Sequence, residues 1–204
     1  MEAFPKLIIL GSSSKFRRKV VSENLGPTFN VETLSPDIDE KAIRRDTAED
    51  LVEALSRAKA DAVRSKLSPA QLLYNATIIT GDQVVRFKGE IREKPISPEE
   101  NAMFLQSYRN STVEVVTGLC VDSVKTGRRM AGVEVERVTY GSIPDDVVAA
   151  VMARGDSAHC CGGLVVEDPD LSKCIVSMEG TLDAIMGLPV ALLLRLMKEV
   201  EETQ

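Results

Sequence analysis

The stretch KLIILGSSSKFRRKV, residues 6–20, joins a short apolar run to a turn of small residues and then to a basic segment. The apolar run predicts a buried strand at about 6–10, and the residues from about 14 to 25 predict a helix. Where a strand passes through a tight turn into a helix, the first backbone N–H groups of the helix have no partner inside it. Those groups point out of the turn, so this stretch predicts an anion-binding site.

The order of elements along the rest of the chain indicates the fold class. Strands and helices alternate in the first half and strands cluster in the middle, which favours an α/β fold with a mixed sheet. No internal repeat, low-complexity tract or linker interrupts the sequence, so we expect one domain over residues 1–204, built as two lobes. The remaining strands are predicted at about 28–34, 76–80, 84–87 with 90–91, 113–124, 130–138 and 173–178. The remaining helices are predicted at about 47–66, 97–108 and 142–154, and from residue 187 onward.

Local helix signals support several of these boundaries. Thr47, Ser97 and Ser142 each stand three residues before an Asp or Glu, as capping residues commonly do. For the last helix, the period of the apolar residues predicts one buried stripe, made of Val190, Leu193, Leu194 and Met197.

Composition and charge restrict the class of protein. The 204 residues are 44% hydrophobic and 27% charged, which is typical of a folded globular domain. With 25 basic and 31 acidic residues the net charge is −6, which argues against broad nucleic-acid binding because that needs a basic surface. We expect no signal peptide, and no apolar run approaches the roughly 20 residues that span a bilayer. The four cysteines are interpreted as reduced thiols. We therefore expect a cytoplasmic protein that binds neither nucleic acid nor membrane.

Ser12, Ser14 and Arg17 are candidate phosphate ligands in the opening turn. Hydroxyls and turn amides can donate hydrogen bonds to phosphate oxygens, and an arginine in the first helical turn can add a bidentate clamp. The alternative is a serine-rich N-cap followed by solvated basic residues, since serine is a common capping residue. From the residues alone both interpretations stay open.

Acidic and basic residues near the second helix suggest a metal and phosphate site. The loop DIDE, residues 37–40, offers oxygen ligands of the kind that Mg²⁺ shares with substrate phosphates. A solvated acidic loop is the alternative. Lys59 lies four residues from both Leu55 and Val63, on the apolar side of the helix. Its side chain could extend along that face to water, or it could reach a phosphate in a cleft.

Two further candidates follow predicted strands. Asp82 is predicted to stand at a strand end beside Gly81, where ligand sites of α/β sheets gather and a carboxylate can act as general base or metal ligand. Turn chemistry alone would also explain a Gly-Asp pair. Lys94 precedes Pro95, which restricts the lysine backbone and so helps to place its ammonium group.

The stretch HCCGG, residues 159–163, contains the only histidine and two of the four cysteines. A zinc site is disfavoured, because adjacent ligands fit tetrahedral geometry poorly and the usual Cys-x-x-Cys spacing is absent. A tight loop that brings backbone close to a ligand explains Gly162 and Gly163 better. The chain has no G-x-x-x-x-G-K-[ST], G-x-G-x-x-G or G-x-S-x-G motif, so ATPase, dinucleotide-enzyme and serine-hydrolase classes lose their main support.

Taken in order along the chain, these motifs resemble the Maf family of nucleotide pyrophosphatases. The resemblance spans nearly the whole chain. It rests on LGSSSKFRR (10–18), PDIDE (36–40), AKA (58–60), GDQVV (81–85), Gly89, KP (94–95), ENA (100–102), Thr117-Gly118, HCCG (159–162) and GLP (187–189).

The resemblance implies a Maf/inosine-triphosphatase-like fold, which is an elongated, twisted mixed sheet flanked by helices, with two lobes and a central cleft, in a homodimer. It also implies that a nucleoside triphosphate is hydrolysed to the monophosphate and pyrophosphate with a divalent cation, Mg²⁺ or Mn²⁺. By the same resemblance, Asp82 is the catalytic base, and Glu40 and Asp82 bind the metal. The residues implied in binding the triphosphate are Ser12, Ser14, Arg17, Lys59 and Lys94.

At three positions the residue types are similar to those of the family branch linked to 7-methyl-GTP: Phe16, Gln83 and Glu167. An N7-methylated guanine carries a positive charge and gains from stacking on an aromatic ring, a role that suits Phe16. A carboxylate such as that of Glu167 can accept hydrogen bonds from the guanine N1–H and N2–H₂ edge, and Gln83 would complete the base pocket. The alternatives are a Maf pyrophosphatase that prefers dTTP, UTP or CTP, and a non-catalytic nucleotide-binding regulator of cell division.

Overall fold

A computed structural model of the protein describes residues 6–26 and 28–201, and these form a seven-stranded mixed sheet flanked by helices. The α/β class predicted from the sequence is confirmed. The strands are β1 (Lys6–Gly11), β2 (Phe29–Thr33), β3 (Thr77–Phe87), β4 (Glu90–Arg92), β5 (Thr112–Ser123), β6 (Arg129–Tyr140) and β7 (Ile175–Glu179). The helices are α1 (Lys15–Leu25), α2 (Ala48–Ser65), α3 (Pro69–Leu73), α4 (Pro98–Ser107), α5 (Asp145–Arg154), α6 (Leu182–Ile185) and α7 (Val190–Glu201).

The strands follow the order β2-β1-β3-β5-β6-β7, and β4 pairs with β3. β1 runs parallel to both of its neighbours, with Ile9 opposite Glu32 of β2 and Ile78 of β3. This pairing agrees with the continuous apolar run of β1, since parallel strands are usually covered on both faces. β4 and β7 are antiparallel to β3 and β6 respectively, which makes the sheet mixed.

The chain divides into two compact units. The first comprises the residues up to 82, residues 117–134 and the residues from 186 on, and the second comprises 83–116 and 135–185. β3, β5 and β6 each contribute residues to both units.

Each unit has its own buried core. In the first unit, Ile8 and Leu10 of β1 are buried in a cluster with apolar residues of α1 and α7. In the second unit the core contains aromatic rings, and the Phe87 and Tyr108 rings meet edge to face with centroids 5.2 Å apart.

Most predicted helix starts are confirmed by cap hydrogen bonds. The side chain of Thr47 accepts a bond from the backbone N–H of Asp50 at 3.1 Å, and that of Ser97 accepts one from Glu100 at 3.2 Å. The cap predicted at Ser142 is wrong, because α5 begins after Pro144 with no side-chain cap bond. Pro144 takes the N-cap position, and the Asp145 carboxylate, which in a capping box would accept from the backbone N–H of the cap residue, is bonded by the distant Arg109.

The strand end predicted before Asp82 is also wrong. β3 runs without interruption from Thr77 to Phe87, and Asp82 lies in its middle. Gly81 marks a close approach of chains rather than a turn, because a Cβ atom there would lie 2.8 Å from Leu119 Cδ2 and 3.0 Å from the Gly118 carbonyl oxygen.

The C-terminal helix buries a face shifted from the predicted one. Leu193 is buried as expected, but the other buried residues of α7 are Leu192, Leu196 and Val200, while Leu194 is 51% exposed. The residues i, i+4 and i+8 from Leu192 therefore form the centre of the stripe. None of the helices within residues 6–26 and 28–201 combines the length and apolar character needed to span a bilayer.

Candidate active site

The serine-rich turn between β1 and α1 caps the helix. Ser14 is the N-cap, and its Oγ accepts a hydrogen bond from the backbone N–H of Arg17 at 3.3 Å. Ser12 Oγ accepts one from the N–H of Ser14 at 3.1 Å, and Ser12 is buried. The capping interpretation is therefore observed, and phosphate binding at this helix N-terminus stays a prediction that the cap does not contradict.

Arg17 joins α1 to two distant main-chain segments. Its Nε donates to the Gly187 carbonyl at 2.7 Å, and its Nη1 donates to the Gly81 carbonyl at 2.8 Å. Arg17 is buried, and a buried guanidinium requires hydrogen-bond acceptors. The bond to Gly81 holds the backbone directly before Asp82 to the start of α1, and the bond to Gly187 holds the segment before α7 there as well.

Asp82 and Lys59 form a buried ion pair in the first unit, and the exposed Glu40 contacts the same lysine, so the three residues make one charge cluster. Lys59 Nζ lies 2.6 Å from Asp82 Oδ1 and 2.8 Å from Glu40 Oε1. Lys59 and Asp82 are only 6% and 7% exposed. The interpretation in which Lys59 extends to water is therefore wrong: the ammonium group is enclosed and paired, as burial of a charge demands.

Neighbouring hydrogen bonds place β3 against α2, which carries Lys59. Thr80 Oγ1 donates to the Ser56 carbonyl at 2.7 Å, and both residues are fully buried. This bond joins β3 to α2 close to Asp82 and Lys59. The backbone segments that carry the two charged residues are therefore fixed relative to each other.

Phe16 and the acidic loop belong to the same unit. Phe16 is half-buried in the first turn of α1, and the ammonium of Lys15 lies 5.2 Å from the centroid of its ring. Glu40 begins a short 3₁₀ turn, Glu40–Ala42, which Asp39 caps. Asp37 instead binds Lys66 at 2.7 Å, and this hydrogen bond, with a second from Ser35, lowers the pKa of Asp37. Among the described acidic residues of the 37–40 loop, the one that contacts Lys59 is Glu40.

The other predicted site residues lie in the second unit. The Gln83 side-chain amide is fixed: its Nε2 donates to the Ala184 and Ile185 carbonyls at 3.2 and 3.1 Å, and its Oε1 accepts from Cys161 Sγ at 3.4 Å. Lys94, which follows β4, is exposed, and so is Glu167.

Glu40 and Asp82 are the carboxylates of this cluster that could bind a metal ion. Within the described part of the chain, no three or more His, Cys, Asp or Glu side chains are gathered in a way that could hold a metal ion. Glu40 and Asp82 supply two hard oxygen donors at one point, and this suits Mg²⁺, which usually takes one or two carboxylates together with water and substrate phosphates.

A family model described as Maf-like protein matches residues 7–200. The chain belongs to the Maf-like family.

Named relatives of this Maf-like protein cover almost its full length. A 7-methyl-GTP pyrophosphatase of Dictyostelium discoideum is 36% identical over 197 residues, which is 96% of this chain and 98% of the relative. A dTTP/UTP pyrophosphatase of Chlamydia trachomatis serovar D is 34% identical, with 94% of this chain and 93% of the relative covered. A nucleoside triphosphate pyrophosphatase of Salinispora tropica is 28% identical over 97% of this chain and 85% of the relative.

Several residues that support the site of this Maf-like protein were not recognised from the sequence. Thr80 is one, although a hydroxyl in the apolar run Ile78-Ile79-Thr80 is a signal that a buried hydrogen-bond partner exists. The Gly187 carbonyl is another, and the Gly-Leu-Pro stretch that contains it was matched to the family without a role. Tyr108, whose hydroxyl bonds the Gly162 carbonyl at 2.8 Å, carried no signal at all.

Proposed function

We propose that this Maf-like protein is a nucleoside triphosphate pyrophosphatase, which hydrolyses its substrate to a nucleoside monophosphate and pyrophosphate. The observation that carries the proposal is the buried Lys59 ammonium, which is shared by the carboxylates of Asp82 and Glu40. A buried ammonium group is costly to desolvate, and charged residues are so rarely buried that a buried Lys–Asp pair marks a candidate functional site. The names of the relatives support the same reaction.

In this proposal Asp82 orients and deprotonates the water that attacks the α-phosphorus. Its carboxylate is a suitable general base, because Lys59 and the Arg17-anchored backbone hold it in one position. Hydrolysis also requires positive charge on the phosphoryl oxygens and the departing pyrophosphate. We assign this task to Arg17 and Lys59. Lys94 binds the triphosphate equally before and during the reaction, which affects KM rather than kcat, and Ser12 and Ser14 donate hydrogen bonds to the phosphates.

A divalent cation, Mg²⁺ or Mn²⁺, fits the donor set of Glu40 and Asp82. When bound, such a cation supplies positive charge to the phosphates. Lys59 holds both carboxylates close to one another without it.

We further propose that 7-methyl-GTP is the preferred substrate. Phe16 would stack on the charged base, and Glu167 and Gln83 would bind its edge. The name of the Dictyostelium relative supports this preference, while the name of the Chlamydia relative supports a pyrimidine triphosphate. From the family resemblance we also expect a homodimer that acts in the cytoplasm.

The test is pyrophosphate release from 7-methyl-GTP, GTP, dTTP, UTP and CTP, with Mg²⁺ or Mn²⁺ and with a chelator, by the wild type and Asp82→Asn. We expect release that depends on the cation, is fastest with 7-methyl-GTP and is lost in Asp82→Asn while its circular dichroism spectrum is unchanged. A pyrimidine-led profile would retain the reaction and overturn the roles of Phe16, Gln83 and Glu167. Binding of these nucleotides without any turnover would instead support the non-catalytic regulator.

A further inference from the structure

The HCCGG stretch, residues 159–163, makes hydrogen bonds within the second unit that suggest what it does. The backbone N–H of Gly162 donates to the Glu93 carbonyl at 2.9 Å. The Gly162 carbonyl accepts a hydrogen bond from the Tyr108 hydroxyl at 2.8 Å. Both backbone polar groups of Gly162, its N–H and its C=O, are therefore hydrogen-bonded to residues that are far from it in sequence.

No other residue type fits at Gly162. Its φ of +58° is in the left-handed region, which favours glycine. A Cβ atom would also lie 2.6 Å from the Tyr108 hydroxyl oxygen and 2.8 Å from Val85 Cβ. The close approach of the Tyr108 hydroxyl thus depends on the missing side chain.

The hydroxyl of Tyr108 donates to Gly162 and also has a hydrogen bond with the side chain of Arg92. Tyr108 is fully buried, and burial raises its pKa to about 12, so the group stays protonated throughout the physiological range. Its ring is fixed by the edge-to-face contact with Phe87 and by stacking on Tyr140, with centroids 6.4 Å apart. Ring and hydroxyl together define where the Gly162 carbonyl must be.

The first consequence concerns Lys94. The Glu93 carbonyl belongs to the same planar peptide unit as the backbone nitrogen of Lys94, so the bond from Gly162 fixes the plane from which Lys94 extends. On the other side, Pro95 restricts the backbone of Lys94. The exposed side chain of Lys94 therefore extends from a backbone that is restricted on both sides.

The second consequence concerns Gln83. Cys161, the neighbour of Gly162, directs its Sγ to Gln83 Oε1 at 3.4 Å. The same short segment therefore contacts the amide of Gln83 and the peptide that carries Lys94.

We propose that Tyr108 is a positioning residue of the nucleotide site, which acts through Gly162 to set the positions of Lys94 and Gln83. This inference rests on the proposed function, in which Lys94 binds the triphosphate and Gln83 the base. Tyr108 itself has no contact with substrate in this proposal, so its effect falls on substrate affinity and base preference rather than on the chemical step.

The experiment compares Tyr108→Phe with Tyr140→Phe in the full chain. Tyr140 is equally buried and stacks on Tyr108, but its hydroxyl has no hydrogen-bond partner within the described residues. We expect Tyr108→Phe to raise KM for the best nucleotide about 5-fold, the effect of losing one buried hydrogen bond, to reduce discrimination between nucleotides and to leave kcat little changed. We expect Tyr140→Phe to leave KM, kcat and discrimination unchanged.

Lys94→Ala and Gly162→Ala complete the design. Lys94→Ala should raise KM at least as much as Tyr108→Phe does, and Gly162→Ala should reproduce the loss of discrimination.

The outcomes distinguish this inference from the proposed function. If the wild type hydrolyses a nucleotide but Tyr108→Phe and Tyr140→Phe have the same KM and the same discrimination, this inference alone is overturned. If no nucleotide is hydrolysed by the wild type, the proposed function is overturned and this inference with it. If Tyr108→Phe does not fold, exchange of the Tyr108 hydroxyl proton with water in the wild type decides: rapid exchange shows that the bond to the Gly162 carbonyl is not held and overturns the proposal, and slow exchange supports it.

Discussion

Two buried carboxylates of the first unit, Asp82 on β3 and Asp122 on β5, are both paired with cations of α2, yet their surroundings differ. Asp122 accepts a bond from Arg64 at Oδ1 and two from Arg129 at Oδ2, with the Arg129 bonds at 3.1 and 2.6 Å. Its side chain is 2% exposed. Asp82 has Lys59 at Oδ1, and its side chain is 10% exposed.

The difference teaches how a structural carboxylate can be told from a candidate catalytic one. Both oxygens of Asp122 are engaged by two arginines. Burial of Arg129 tends to lower its pKa, but its hydrogen bonds with Asp122 and Asp61 outweigh this and raise it. A carboxylate bound in this way can only hold elements together. Asp82 retains access on one side and shares its lysine with Glu40. The less satisfied carboxylate is therefore the one that can take part in a reaction.

The largest expected effect separates the two residues by activity. Asp82→Asn should lower pyrophosphate release by roughly 10²–10⁴-fold, because it removes the proposed general base. Asp122→Asn should leave the turnover of the folded protein unchanged, because both of its oxygens serve the fold. Steady-state rates well below the unfolding temperature measure this contrast, and equal losses in the two variants would contradict it.

The next largest expected effect is on stability, and here Asp122→Asn should be the more damaging of the two variants. Asp122→Asn should lower the free energy of unfolding by about 2 kcal/mol, since Arg64 would lose its carboxylate partner and Arg129 would lose both bonds to Asp122 and keep its ion pair with Asp61. Asp82→Asn should cost less, because Lys59 keeps its 2.8 Å ion pair with Glu40.

Urea unfolding of both variants, followed by circular dichroism, is the measurement. A greater loss of stability in Asp82→Asn than in Asp122→Asn would show that Asp82 is also a structural group, and would remove the distinction between them.

The smallest effect extends the comparison to a more exposed carboxylate in the second unit. Glu114 binds Arg86 at 2.7 Å and Arg137 at 3.0 Å, and the hydrogen bond from Arg86 is the largest cause that lowers the pKa of Glu114. A lowered folded-state pKa means that the stabilisation is complete above the unfolded pKa and is lost as the pH falls through the folded one. Because these groups are partly exposed, the effect should be below about 1 kcal/mol.

Urea unfolding of the wild type and Glu114→Gln at about pH 7 and about pH 3 checks this expectation. The wild type should be slightly more stable at the higher pH, and the difference between the two proteins should shrink at the lower one. A difference that grows on acidification would contradict the assigned direction of the pKa.

The sequence predicted those features that depend on neighbours within a turn or two. The caps at Ser14, Thr47 and Ser97 are confirmed, because a capping bond joins residues only three positions apart. Ser142 has the same pattern but does not cap α5, because Pro144 takes the N-cap position and the distant Arg109 bonds the Asp145 carboxylate.

Misjudged features were those in which a distant contact overrides a local signal. Gly81-Asp82 has the composition of a turn, yet it lies inside β3 since Gly118 and Leu119 pack against it. Lys59 has the spacing of a lysine that extends to water, yet it is buried because Asp82 and Glu40 enclose its ammonium.

By itself, the sequence determined the α/β class, most element boundaries and the residue types from which the candidate site is built. Periodicity, helix caps and motif order depend on residues that are close in sequence or on their order along the chain, so they can be recognised without knowledge of the fold. Only the tertiary structure decided which charges meet and which peptide groups are held. Lys59 and Asp82 are 23 residues apart, Tyr108 and Gly162 are 54 apart, and Arg17 and Gly187 are 170 apart. Contacts at such separations form when packed elements bring their side chains together, and no local pattern records them.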